Sequence, residues 1–209
     1  MRPRDRKDDS RSIVSARTIH TGHVFDLRGE DVALRPGEVV SREFVDHPGA
    51  VAVLPLRQPG GPGSEEILLL DQYRHPVRAV LWEVPAGLLD VDGEDPLAAA
   101  QRELAEEADV RAMQWHVLAD FFTTPGGSNE SLRVYLARDL SDVPPAQRHQ
   151  RTHEERDMTP QWFVLDDAIA AVHAGELHNP STVVAVLAAA SARARHWSVL
   201  RPADAPWMR

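Results

Sequence analysis

Pro85-Ala86-Gly87-Leu88-Leu89-Asp90-Val91-Asp92-Gly93-Glu94-Asp95-Pro96, continuing through Arg102-Glu103-Leu104-Ala105-Glu106-Glu107-Ala108-Asp109-Val110, is the stretch that decides how this chain folds. Asp95 suits a helix N-cap and Pro96 the first helical position, so a helix is predicted over Pro96–Ala108. On its surface Leu97, Ala100, Leu104 and Ala108 make an apolar stripe, and Glu103, Glu106 and Glu107 a carboxylate stripe beside it. Glu103 and Glu107 stand one turn apart. Like charges at that spacing weaken a helix by a few tenths of a kcal/mol unless something positive lies between them. A divalent cation meets that need, and oxygen-only ligands favour Mg²⁺, Mn²⁺ or Ca²⁺ over zinc. A plain solvated acidic face, with Arg102 and Glu106 paired, is the competing reading.

Outward from this helix, strands are expected on both sides. Ala50 to Leu56 and Ile67 to Leu70 read as buried strands around a hairpin tip at Gln58–Ser64, and Ala79–Val84 as a short strand before the helix. Trp115–Phe122, Leu132–Ala137 and Gln161–Val164 follow as strands, then helices at about Leu165–Ala174 and Ser181–Ala194. Strands before, after and beside an early helix imply a mixed sheet sandwiched between helices. Towards the N-terminus, His23–Leu27, Asp31–Leu34 and Val39–Val45 read as short antiparallel strands, and residues 1–14 as a disordered tail without apolar periodicity.

With 209 residues, 43% hydrophobic and 26% charged, the composition is that of a globular protein of one domain with a modest extension. The net charge of −9 argues against nucleic acid or anionic membrane as a partner. The absence of cysteine removes disulfides, thiolate zinc sites and cysteine nucleophiles. No apolar signal region or membrane-length run is seen, so a cytoplasmic location is expected. There is no His-Glu-x-x-His, Gly-x-Ser-x-Gly or Gly-x-Gly-x-x-Gly motif, and the Gly-rich hairpin lacks the ending of a phosphate loop.

The spacing Gly87-x6-Glu94-x7-Arg102-Glu103-Leu104-x-Glu106-Glu107-x-Asp109-Val110 resembles the signature of the Nudix hydrolases, Gly-x5-Glu-x7-Arg-Glu-U-x-Glu-Glu-x-Gly-U, where U is bulky and aliphatic. Two departures stand out. One extra residue lies between Gly87 and Glu94, and Asp109 replaces the last glycine. That position falls just past the helix end, where a left-handed conformation is expected and Asp tolerates it better than most residues. Outside the box, Trp82–Gly87, Gln72-Tyr73-Arg74, Pro125 and His20–Phe25 resemble ADP-ribose pyrophosphatases.

The resemblance implies an α+β chain of the Nudix fold: an α/β/α sandwich with a mixed sheet over 48–209, after a small N-terminal antiparallel β-subdomain over 15–47. It implies metal-dependent hydrolysis of the diphosphate of ADP-ribose to AMP and ribose 5-phosphate, with Mg²⁺ as the cofactor and Mn²⁺ as a substitute. Glu103, Glu107, Glu106, the carbonyl of Ala86 and Glu94 would supply the metal site, with Arg102 orienting the carboxylates. Arg74, Arg42, Phe25 and Glu83 are the implied substrate contacts. Glu155, or Glu154 beside it, would be the general base, with His153 as an alternative. A homodimer sharing the N-terminal strands is also implied. Hydrolysis of another nucleoside diphosphate sugar, or a non-catalytic ADP-ribose sensor, are the rival readings; the intact box glutamates speak against the sensor.

Overall fold

The run Ala50-Val51-Ala52-Val53-Leu54-Pro55-Leu56 carries no alternation of apolar and polar residues, as a strand covered on both faces requires. The structure is a computed structural model that describes residues 2–151 and 158–209, and in it this run is buried almost throughout. Eleven strands are found among the described residues: β1 (Ser12–Thr21), β2 (Asp26–Arg35), β3 (Glu38–Asp46), β4 (Ala50–Arg57), β5 (Glu66–Arg74), β6 (Ala79–Glu83), β7 (Ala86–Leu88), β8 (Val110–Phe122), β9 (Ser131–Asp142), β10 (Thr159–Val164) and β11 (Arg201–Pro202). Helices α1 (Pro96–Ala108), α2 (Leu165–Ala174) and α3 (Pro180–Arg193) complete the set, with a single 3₁₀ turn at Pro145–Gln147.

The chain divides into two compact units. The larger, Ala50–Phe121 with Leu132–Pro206, is built on one mixed sheet in the order β10-β5-β4-β9-β8-β11, with β6 added to β5 and β7 to β4. β4 runs antiparallel to β5 and parallel to β9, in register from Ala50 opposite Leu132 to Pro55 opposite Ala137. Successive side chains of β4 point to opposite faces. Val51 and Val53 therefore meet Ala99, Ala100 and Leu104 of α1, while Ala52 and Leu54 meet Leu165 of α2 and Ala185, Val186 and Ala189 of α3. The expected helix–sheet–helix sandwich is the observed one, and the limits of α1 and α2 fall where the sequence placed them.

In the smaller unit, β1, β2 and β3 form a three-stranded antiparallel sheet, joined by Phe122–Ser131 and Trp207–Arg209. Val45 N–H donates to Gly127 O (2.9 Å) and Asn129 Nδ2 to Asp46 Oδ1 (2.6 Å), fastening that loop to the end of β3. In this unit the structure departs from the sequence reading at β1 and at the entry to β2. β1 begins at Ser12, within the stretch expected to be a tail, because Ser12 and Ile13 pair with Ala33 and Val32 through the backbone ladder. All of β1 is exposed, so no burial pattern marks it. Of the expected strand His23–Leu27 only Asp26 and Leu27 are extended, as the start of β2, and His23–Phe25 is a turn into it: Gly22 N–H donates to Phe25 O (3.1 Å), and a Cβ on Gly22 would overlap that carbonyl. Among the described residues no helix is long and apolar enough to cross a membrane.

A buried ion pair crosses from β8 to β9. Arg133, 3% exposed, donates to Asp120 through Nε (2.7 Å) and Nη2 (3.0 Å), and to the carbonyls of Ala205 (2.9 Å) and Pro206 (3.2 Å). Arg201 Nη1 also reaches Asp120 (2.9 Å). β11, which the sequence did not reveal, sits here against β8.

His116 of β8 is held below the ordinary histidine pKa, first by burial and then by the charge of Arg138. Folding therefore disfavours its protonated form. Stability is expected to fall as pH drops below about 6.5, the unfolded-state value, towards the lower folded-state one. Thermal midpoints measured from pH 8 to 5 should decline less steeply for His116→Gln than for the wild type; superimposable slopes would refute this.

Candidate active site

Helix α1 starts and stops on local chemistry. Asp95 Oδ1 accepts from the N–H of Leu97 (2.9 Å) and Ala98 (3.2 Å), and Pro96 occupies the first turn. At the other end Asp109 is left-handed (φ 56°, ψ 30°), with its N–H on Leu104 O, so it takes the conformation expected of the missing glycine. Ala99, Ala100, Leu104 and Ala108 are buried against the sheet.

The preceding loop is laid beside this helix by the sheet. β7 pairs with β4, Gly87 opposite Val51 and Ala86 opposite Ala52, while Val53 N–H donates to Pro85 O (2.8 Å). Two contacts tie that backbone to the carboxylates. Ala86 N–H donates to Glu107 Oε2 (2.9 Å), and Glu107 is 8% exposed. A Cβ on Gly87 would overlap the carboxyl group of Glu103, so the box glycine is required for close approach rather than for a special φ.

Arg102 organises the rest of the stripe. Its Nε and Nη2 fork onto Glu94 (3.0 Å each), and its Nη1 reaches Glu103 Oε1 (2.6 Å) and Glu106 Oε2 (3.4 Å). Hydrogen bonding to Glu94, ahead of the charge of Glu103, raises the guanidinium pKa further, and the same bond holds Glu94 below the usual carboxylate range. Glu94 thus serves in this arrangement as the carboxylate partner of Arg102, eight residues away.

Residues 46–183 match the NUDIX domain family. The chain belongs to the Nudix family. It is 43% identical over 195 residues to an ADP-ribose pyrophosphatase of Mycobacterium tuberculosis, covering 93% of this chain and 90% of that protein. A second ADP-ribose pyrophosphatase, from Bacillus subtilis, is 35% identical over 83% of this chain and 89% of its own length. Among solved structures, one described as an ADP compounds hydrolase superposes with a TM-score of 0.70 over 92% of this chain and 96% of that one; at 18% identity it shows the shared fold.

Nudix hydrolases generally need a divalent metal ion. Among the described residues no three carboxylates or imidazoles converge as a ligating set, since Arg102 engages Glu94, Glu103 and Glu106. The donor chemistry nevertheless fits a hard cation. Glu103, Glu106 and Glu107 offer carboxylate oxygens, and the Gly87 backbone is pressed against Glu103 with no side chain between. Ala86 meets Glu107 through its N–H, and the carbonyl expected as a metal ligand takes no part in that contact.

The other sequence candidates fall in separate places. Arg74 forks onto Glu83 through Nε (2.9 Å) and Nη2 (2.7 Å), and Glu83 is 3% exposed. Glu83 lies opposite Leu70, which packs with α1, so this pair is on the sheet face that the Nudix helix covers. In the smaller unit Arg42 and Pro125, picked out independently in the sequence, line one cavity of about 390 Å³ with Phe44 and Phe122. Phe25 is 48% exposed and lines a different recess, with Gly22 and Asp46. Glu154, Glu155 and His153 lie outside the described residues. Arg151, which touches both Glu106 and Asp109, was missed: a lone arginine in a polar stretch carries no pattern.

Proposed function

We propose that this chain is a Mg²⁺-dependent ADP-ribose pyrophosphatase that hydrolyses the diphosphate bond to AMP and ribose 5-phosphate. The observation that carries the reading is the α1 face, where Glu103 and Glu107 are each tied to the Ala86–Gly87 backbone beside Arg102 and Glu106. The choice of substrate is supported by likeness to two named ADP-ribose pyrophosphatases over most of the chain.

Glu103, Glu107, Glu106 and the Ala86 carbonyl would hold the ion, with Mn²⁺ as a substitute. Such an ion supplies positive charge against the diphosphate and makes water a better nucleophile at neutral pH. Arg102, fixed by Glu94, orients the helix carboxylates, so that their geometry is set before substrate arrives. Arg74, held by Glu83 and 44% exposed, presents a guanidinium suited to a diphosphate. Arg42 and Phe25 serve the nucleotide. Glu155 accepts the proton from the attacking water, with Glu154 or His153 as its replacement in that role.

A homodimer through the N-terminal sheet belongs to the same reading. Ile13, Val14, Ile19 and Val39 are exposed there, and a three-stranded sheet with bare apolar positions gains from a second copy.

The test is a panel of ADP-ribose, other nucleoside diphosphate sugars and dinucleotides, with and without Mg²⁺, scored by phosphate release through a coupled phosphatase. ADP-ribose should be the preferred substrate, AMP a direct product, and chelation should stop the reaction. Sedimentation of the same preparation should give a dimer. Preference for another nucleoside diphosphate sugar would replace the substrate, and full activity in chelator would remove the metal.

A further inference from the structure

Asp109 stands where the family signature has glycine, and in the structure it is the hub of a small ionic cluster. Its Oδ2 accepts from Arg151 Nη2 (2.7 Å), Arg148 Nε lies 3.9 Å from its Oδ1, and its carbonyl accepts from Val143 N–H (2.8 Å). Arg148 Nε in turn donates to Val143 O (3.2 Å). Arg151 bridges onward: its Nε donates to the carbonyl of Glu106 (3.1 Å), in the last turn of α1. One guanidinium therefore joins the residue that ends the helix to the turn bearing Glu106 and Glu107. Arg151 and Asp109 are both about a fifth exposed, so this pair is better shielded than a surface ion pair.

A glycine at 109 would adopt the same left-handed backbone without strain but would supply no carboxylate. The conformation explains why Asp is tolerated there. The two arginines indicate what the carboxylate adds. Helix carbonyls in the last turn lack intrahelical partners, and an arginine beside them both caps the helix and complements its dipole.

We infer that Asp109 and Arg151 are positioning residues for the proposed hydrolysis, an ionic tether that fixes the C-terminal turn of α1, and with it Glu106 and Glu107, against the segment Asp142–Arg151. The inference rests on the reading of α1 as the metal-binding helix. A helix end that shifts by a fraction of an ångström moves two proposed ligands together, and small misplacements of catalytic groups carry large rate penalties.

The test is a double-mutant cycle of Asp109→Gly, Arg151→Ala and the combination, with Arg151→Lys as a conservative variant, each assayed below its thermal midpoint after circular dichroism has verified the fold. Asp109→Gly and Arg151→Ala should each lower kcat about tenfold at little-changed KM, and the double variant should be no worse than either single one. Arg151→Lys, which keeps charge but not the two-acceptor fork, should recover part of the rate. It also carries the test should Arg151→Ala not fold. A wild-type kcat in Asp109→Gly, or two losses that multiply in the double variant, overturns the tether. The wild type assayed in parallel separates the two readings: if it is inactive on ADP-ribose the substrate assignment fails, whereas active wild type with equally active Asp109→Gly refutes the tether alone.

Discussion

Glu107→Gln should yield a folded protein with almost no turnover. Glu107 is 8% exposed and its Oε2 accepts from Ala86 N–H at 2.9 Å, so the side chain both locks the β7 backbone to α1 and offers negative charge to a cation. Glutamine has the same shape and an amide oxygen that preserves the bond to Ala86, while the charge is lost. The two roles are thereby separated: the thermal midpoint should stay near that of the wild type, and hydrolysis of ADP-ribose should collapse at every Mg²⁺ concentration. Glu107→Ala should also lose stability, by about 1 kcal/mol, because the part-buried Ala86 N–H would lose its carboxylate acceptor. Near-normal turnover by the glutamine variant in Mg²⁺ would remove Glu107 from the metal site.

The largest expected loss of stability is at Arg133→Ala. This guanidinium is 3% exposed and joins Asp120 of β8 to the carbonyls of Ala205 and Pro206, so one side chain binds two strands and the C-terminal segment together. Removing one member of a buried pair leaves a desolvated charge behind, which destabilises by about 3–5 kcal/mol. Asp120 keeps Arg201 at 2.9 Å, so the lower end of that range applies. For a chain of this size about 3 kcal/mol corresponds to a thermal midpoint lower by roughly 6–12 °C. The Asp120→Ala, Arg133→Ala double variant should be less destabilised than the sum of the two single changes, because the second substitution removes a charge the first has orphaned. A midpoint within about 2 °C of the wild type, a shift that corresponds to less than about 1 kcal/mol, would show the pair to be dispensable.

What the sequence determined by itself is local. The limits of α1 were legible because Asp95, Pro96 and the left-handed position of Asp109 act within one turn of their own backbone. The carboxylate stripe was legible because helical periodicity places Glu103, Glu106 and Glu107 together wherever that helix lies. The burial of β4 on both faces was legible in an unbroken apolar run.

What only the tertiary structure decided are partnerships between residues far apart in the chain. The need for Gly87 lies in its approach to Glu103, the pairing of Arg151 with Asp109 spans 42 residues, and Arg133 meets Ala205 across 72. No local pattern encodes such contacts, because a buried charge takes its partner from whatever the sheet order brings beside it. The start of β1 escaped notice for a related reason. A strand exposed along its whole length is held by backbone pairing with β2, and backbone hydrogen bonds leave no mark on the choice of side chains.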